Sequence, residues 1–170
     1  MEDLYKRFIE QTGMKFGAAN DKDVNKQLEK DLCAEFFKTD KIEEPPKEMD
    51  FKGIDVIVDG VTVQVKCHAN KDFILEDKKL NKADKWIKGN IDRCAAKLFL
   101  NVFPENGKLV YELFDTSEVK EMLDICRSFQ ERRKINWTPE KSKIFAKFGS
   151  NPGYYQETKN KRSFIFRIKR

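Results

Sequence analysis

The chain is poor in the residues that bind transition metals or form covalent cross-links. It has one histidine, His68, and four cysteines, Cys33, Cys67, Cys94 and Cys126, none of them in a C-x-x-C pair. A zinc ribbon or finger needs closer Cys/His spacing. The cysteines therefore read as reduced thiols, mostly in the core. Long apolar runs are also missing. No stretch approaches the roughly 18 apolar residues of a membrane span. Residues 1–10 carry acids and lack the apolar segment of a secretory signal. The expectation is an intracellular protein, in cytoplasm or nucleoid, without a membrane partner. Internal repeats and low-complexity segments are absent too.

What is present is an ordinary globular composition. A length of 170 residues suggests one domain over 1–170, large enough to bury a core unaided. Fourteen phenylalanines are available to fill that core. The net charge of +5 mildly favours a polyanionic partner. Its distribution says more: residues 159–170, KNKRSFIFRIKR, hold six basic residues and no acid. A basic C-terminal strand suits phosphate contact through residues such as Arg162 and Arg167. It equally suits an edge strand protected by charge from aggregation.

Hydrophobic periodicity predicts a short helix over 2–10. A second helix starts near 20–23 and buries Val24, Leu28, Leu32, Cys33, Phe36 and Phe37. Residues 38–50 read as a polar connector interrupted by Pro45 and Pro46. Two strands, 53–58 and 61–68, flank Asp59-Gly60, a strong hairpin signal. Residues 77–97 read as a basic helix bearing Trp86, Ile87 and Ile91. Strands follow at 97–103 and 109–114 around a turn at 104–108. The next helix carries Val119, Met122, Leu123, Cys126 and Phe129 on its buried stripe. An irregular stretch follows Trp137-Thr138-Pro139, and a last strand spans 163–168. Trp86 and Trp137 read as core residues. The order implies an α/β (α+β) fold with a central mixed β-sheet flanked by helices.

The hairpin is the informative region. With Asp59-Gly60 as a two-residue turn, Val58 opposes Val61, Ile57 opposes Thr62, Val56 opposes Val63, and Asp55 opposes Gln64. One face then carries Ile54, Val56, Val58, Val61, Val63 and Val65, all aliphatic, and must be core. The other face gathers Asp55, Gln64 and Lys66, with His68 beyond. Such a trio is either a cross-strand polar patch or a catalytic constellation. A carboxylate beside an amide oxygen can hold a hard cation. A lysine one step further can stabilise charge on a phosphate or orient a water.

On these residues the chain resembles the PD-(D/E)XK, restriction-endonuclease-like, nuclease superfamily. Asp55 matches the family's metal-binding Asp, and Gln64-Val65-Lys66 its (D/E)-x-K element. Helix, hairpin, helix and strand between 21 and 103 resemble its core. Glu29, followed by Leu32, Cys33 and Phe36, fits the helix Glu of resolvase-like members; Glu35, followed by Lys38 and Thr39, does not. Two positions depart: Ile54 stands where the pattern has Pro, and Gln64 where it has an acid. Some restriction and homing enzymes of the superfamily resemble this Gln-x-Lys form. The resemblance implies a hydrolase that uses Mg²⁺ or Mn²⁺ to cut phosphodiester bonds of double-stranded or branched DNA. Asp55, Gln64 and Glu29 would hold the metal and Lys66 would act on the nucleophile. It would be a site- or structure-specific enzyme of restriction, homing or junction-resolving type, acting as a homodimer. The alternative is a degenerate module on the same fold that binds nucleic acid without cutting it. His68, Lys78, Lys79, Lys82, Lys85 and Lys88 are candidates for tracking the backbone, together with Arg162 and Arg167.

Overall fold

The computed structural model describes residues 3–13, 22–50, 52–79, 86–87, 90–157 and 163–170. In chain order the elements are α1 (Leu4–Gly13), α2 (Lys22–Phe37), β1 (Ile42–Glu43), α3 (Lys47–Asp50), β2 (Val56–Val58), β3 (Val61–Cys67), β4 (Phe73–Lys79), β5 (Trp86–Ile87), α4 (Asn90–Arg93), β6 (Leu98–Glu105), β7 (Lys108–Asp115), α5 (Thr116–Gln130), α6 (Pro139–Lys147), β8 (Tyr154–Glu157) and β9 (Ser163–Ile168). The protein is thus mixed α and β. Its contacts divide into two compact units, one of residues 1–71 and 95–115 and one of residues 72–94 and 116–170.

The first unit holds a five-stranded mixed sheet in the order β1-β2-β3-β6-β7. Its centre is the hairpin. Asp59 and Gly60 both have positive φ, +48° and +80°, as a type I′ turn requires. The pairs Val58–Val61, Ile57–Thr62 and Val56–Val63 follow, as the sequence pattern predicts. β6 then runs parallel to β3, pairing Gln64 with Phe99 and Lys66 with Asn101. β7 returns antiparallel. The core lies where Val56, Val58, Val63, Val65, Leu100 and Val102 meet Phe8 of α1 and Leu28, Leu32 and Cys33 of α2. A register slip of one residue would exchange these six aliphatics for Gln64, Lys66 and Asn101, so the burial pattern itself fixes the pairing.

The β6–β7 turn is tighter than its composition suggests. Asn106-Gly107 alone makes it, again with positive φ at both residues, and Pro104 sits inside β6 opposite Leu109. That position is permissive. Glu105–Lys108 closes the hairpin, so at Pro104 the missing N–H points away from β7. On that side β3 has already ended at Cys67, opposite Val102, so no ladder donor is lost.

The second unit holds an antiparallel sheet in the order β5-β4-β9-β8. Here the structure corrects the reading of 77–97 as a basic helix. Residues 73–79 form a strand, with Phe73 and Leu75 buried and Glu76 exposed. They pair with β9, from Phe73–Ile168 to Lys78–Ser163. Among the described residues of the expected helix only Asn90–Arg93 is helical, and 80–85 and 88–89 lie outside the described residues. The stretch after Pro139 is irregular only over 148–153, where Gly149, Asn151, Pro152 and Gly153 lie; its first part is helical. That part forms α6, whose N-cap Thr138 accepts from the Lys141 N–H at 3.2 Å and whose first residue is proline. α5 buries Val119, Met122, Leu123, Ile125 and Cys126, but Phe129 and Trp137 are exposed rather than core, as is Val24 on α2. Arg127 clasps Asp92 with two hydrogen bonds, 3.2 and 2.8 Å, fixing α4 to α5. Among the described residues no helix is long and apolar enough to cross a membrane.

Candidate active site

Asp55 lies one residue before β2 and leaves the ladder there. Its N–H donates to the Val63 carbonyl at 3.0 Å. In a continued ladder the Val65 N–H would meet the carbonyl of Ile54. Instead it donates to the Asp55 carboxylate at 2.8 Å. The same carboxylate oxygen accepts from the Gln64 amide nitrogen. The structure thus brings Asp55 and Gln64 together, as the sequence predicts, but through their side chains and not as a regular cross-strand pair. The carboxylate substitutes for a backbone acceptor at the point where β2 begins. Ionised acceptors of this kind make the stronger hydrogen bonds.

Gln64 and Asn101 are buried beside this carboxylate's strand, and Lys66 is half-buried. Lys66 pairs with Asn101 across β3–β6, and Asn101 with Glu112 across β6–β7. These three residues form a polar row next to the Gln64–Phe99–Phe114 row. Asn101 is wholly buried, and its amide nitrogen donates to Glu112 Oε1 at 2.9 Å. Sequence reasoning missed both Asn101 and Glu112. The available signal was a lone Asn inside the apolar run LFLNVF of β6; its partner on β7 could be found only from the strand pairing.

Glu29 acts on the same region from α2. Burial, then Glu29, then Asp55 push the Cys33 thiol up to about 12. The Cys67 thiol is likewise pushed up to about 12 by burial, Glu29 and Asp55, against a lowering by Lys66. Two carboxylates acting on the same two thiols mark one negative neighbourhood at the end of β3. Glu35 acts elsewhere: it accepts from Lys38 at 2.8 Å, and it adds to burial in pushing the Tyr111 hydroxyl up to about 12.

The other expected contacts scatter. His68 continues past β3, its N–H bonded to the Val102 carbonyl at 2.9 Å. Lys78 and Lys79 belong to β4 and Arg167 to β9, in the second unit. Arg167 is ion-paired with Asp72 at 3.6 Å. Lys82, Lys85, Lys88 and Arg162 lie outside the described residues.

Asp55, Gln64 and Glu29 offer oxygen ligands, which suit Mg²⁺ or Mn²⁺. Among the described residues no three His, Cys, Asp or Glu side chains form a metal-holding group. A cation at Asp55 would draw on the Gln64 amide oxygen. In the structure that amide presents its nitrogen to Asp55; rotation by half a turn exchanges donor for acceptor. The donor set fits a hard cation in kind, at the expense of the Gln64–Asp55 hydrogen bond. Comparison with protein-family models, with curated proteins and with solved structures gives no match.

Proposed function

We propose that the protein is a metal-dependent endonuclease of the PD-(D/E)XK type, hydrolysing DNA phosphodiester bonds at a specific site or structure. One observation carries the reading: Asp55 and Gln64 touch at the mouth of a hairpin, with Lys66 next on the same face of β3. The parallel β3–β6 pair behind the hairpin supports the same reading. Asp55, Gln64 and Glu29 would hold the cation. When bound, it would supply charge neutralisation at the phosphate and a more acidic water. Lys66 is positioned to donate to a phosphate oxygen or to the attacking water. Asn101 and Glu112 keep the strand next to Lys66 polar. A second copy would supply the cut in the other strand.

The second reading, a nucleic-acid-binding module without catalysis, draws on the neutral Gln64 and on its amide nitrogen facing Asp55. Cleavage of supercoiled and four-way-branched DNA over a range of Mg²⁺ and Mn²⁺ separates the two. We expect cutting by the wild type and none by Lys66→Ala, which should fold normally. If the wild type cuts no better than Lys66→Ala at any metal concentration, the nuclease reading is wrong.

A further inference from the structure

The second unit carries an aromatic surface that its core does not use. Phe129 at the end of α5 and Trp137 in the following loop are each 44% exposed. Phe145 of α6 joins them, its ring centroid 5.3 Å from Trp137 and 6.0 Å from Phe129. α6 buries none of its residues fully. Exposed aromatics clustered beside a weakly buried helix mark a contact surface.

The charge around the trio indicates the partner. Residues 127–148 hold seven basic residues and only two acids. Of those seven, Arg127 is paired with Asp92, and Arg133 with Glu131 and Asp124. Lys141 and Lys147 are paired with Glu121 and Glu118. Arg132, Lys134 and Lys143 are exposed, and none forms an ion pair with a described residue. A second copy docking through this patch would bring two surpluses of one sign together. A nucleic acid neutralises them and releases counterions. Within a duplex the base faces are already stacked on one another, whereas an unpaired base presents a free face to an aromatic ring.

We propose that Trp137, Phe129 and Phe145 form a stacking platform for unpaired nucleotides of a DNA strand, with Arg132, Lys134 and Lys143 contacting its phosphates. The proposal rests on the nuclease reading only in taking DNA as the ligand, and it gives that enzyme a branched, gapped or frayed substrate.

The test is binding of a dT12 oligonucleotide and of a 12-bp duplex in EDTA, where no metal-dependent cleavage occurs. Fluorescence and anisotropy are followed across a salt series. The fluorescence difference between wild type and Trp137→Phe isolates the indole at 137, which dT12 should quench. Trp137→Ala should weaken dT12 binding about tenfold or more and Trp137→Phe less than about threefold, with duplex binding unchanged. The triple variant Arg132→Gln, Lys134→Gln, Lys143→Gln should reduce the logarithmic salt slope for dT12 by about 2. Absence of quenching at saturation would overturn the proposal. So would equal loss of duplex and dT12 binding in Trp137→Ala, or a wild-type dimer in sedimentation that Trp137→Ala dissociates with dT12 affinity unchanged. Should Trp137→Ala fail to fold, the wild-type quench and the triple variant still decide. Loss of cleavage in Lys66→Ala with quenching intact, or the converse, shows which of the two readings fails.

Discussion

Gln64→Glu tests the geometry at Asp55 without assuming any activity. The substitution keeps the shape of the side chain, removes the amide donor that Asp55 accepts, and adds a second carboxyl in contact with the first. Gln64 is only 8% exposed, so water screens the pair poorly. Two unit charges about 3 Å apart repel by roughly 5 kcal/mol at an effective dielectric constant of about 20. Protonation limits the penalty. Keeping a carboxyl of ordinary pKa about 4.3 protonated at pH 7 costs about 4 kcal/mol. The variant should therefore unfold more easily than wild type by about 2–4 kcal/mol at pH 7 in EDTA. The sign with pH follows from linkage. The new carboxyl binds its proton more tightly folded than unfolded, so the deficit is absent below its unfolded pKa and grows as pH rises. Near pH 4 the protonated group can donate to Asp55 as the amide does, and the deficit should fall below about 1 kcal/mol. Urea titrations between pH 4 and 8 measure this. Mg²⁺ at about a hundred times its dissociation constant should restore about 2.7 kcal/mol. A variant as stable as wild type within about 0.5 kcal/mol at pH 7 in EDTA would refute the Asp55–Gln64 contact and the argument built on it.

Two further perturbations probe the framework. Arg127→Ala removes the two-pronged clasp on Asp92, whose side chains are 13% and 23% exposed, and should destabilise the chain by about 2–4 kcal/mol; a double-mutant cycle with Asp92→Ala showing no coupling would disprove that role. The Cys33 thiol, held up at about 12 against an ordinary 9.0, contributes stability that is whole below pH 9 and is lost as pH climbs toward 12. Denaturant midpoints at pH 8.5 and 10.5 should show the gap between wild type and Cys33→Ala narrowing by up to about 1.4 kcal/mol per pH unit, and a constant gap would contradict it.

Several elements were legible because their physics is local. Asp59-Gly60 supplies the positive φ of its turn from its own two residues, and five of the six alternating aliphatics around it are buried. The 3.6-residue spacing of α2 and α5 likewise yields helices where it predicts them, with Leu28, Leu32, Cys33, Val119, Met122, Leu123 and Cys126 buried and Val24 and Phe129, at the stripe ends, exposed. Thr138-Pro139 was a readable helix start, a capping side chain before a proline, and α6 follows from it. β4 was not readable in the same way. Its lysines resemble a solvated helix face, and the strand exists only because β9, about ninety residues later, pairs with it.

The candidate site divides along the same line. The sequence alone placed Asp55, Gln64 and Lys66 on one face, because the side-chain period of a strand and the burial of valine leave no other register. It also singled out Glu29 over Glu35. Tertiary structure decided how Asp55 is used: it steps out of the ladder and its carboxylate takes the Val65 N–H. Tertiary structure also added Asn101 and Glu112, since a cross-sheet row joins strands far apart in the chain. It decided, finally, that Trp137 faces water. Composition can count apolar residues, but whether one is covered depends on which elements pack over it, and no local pattern encodes that.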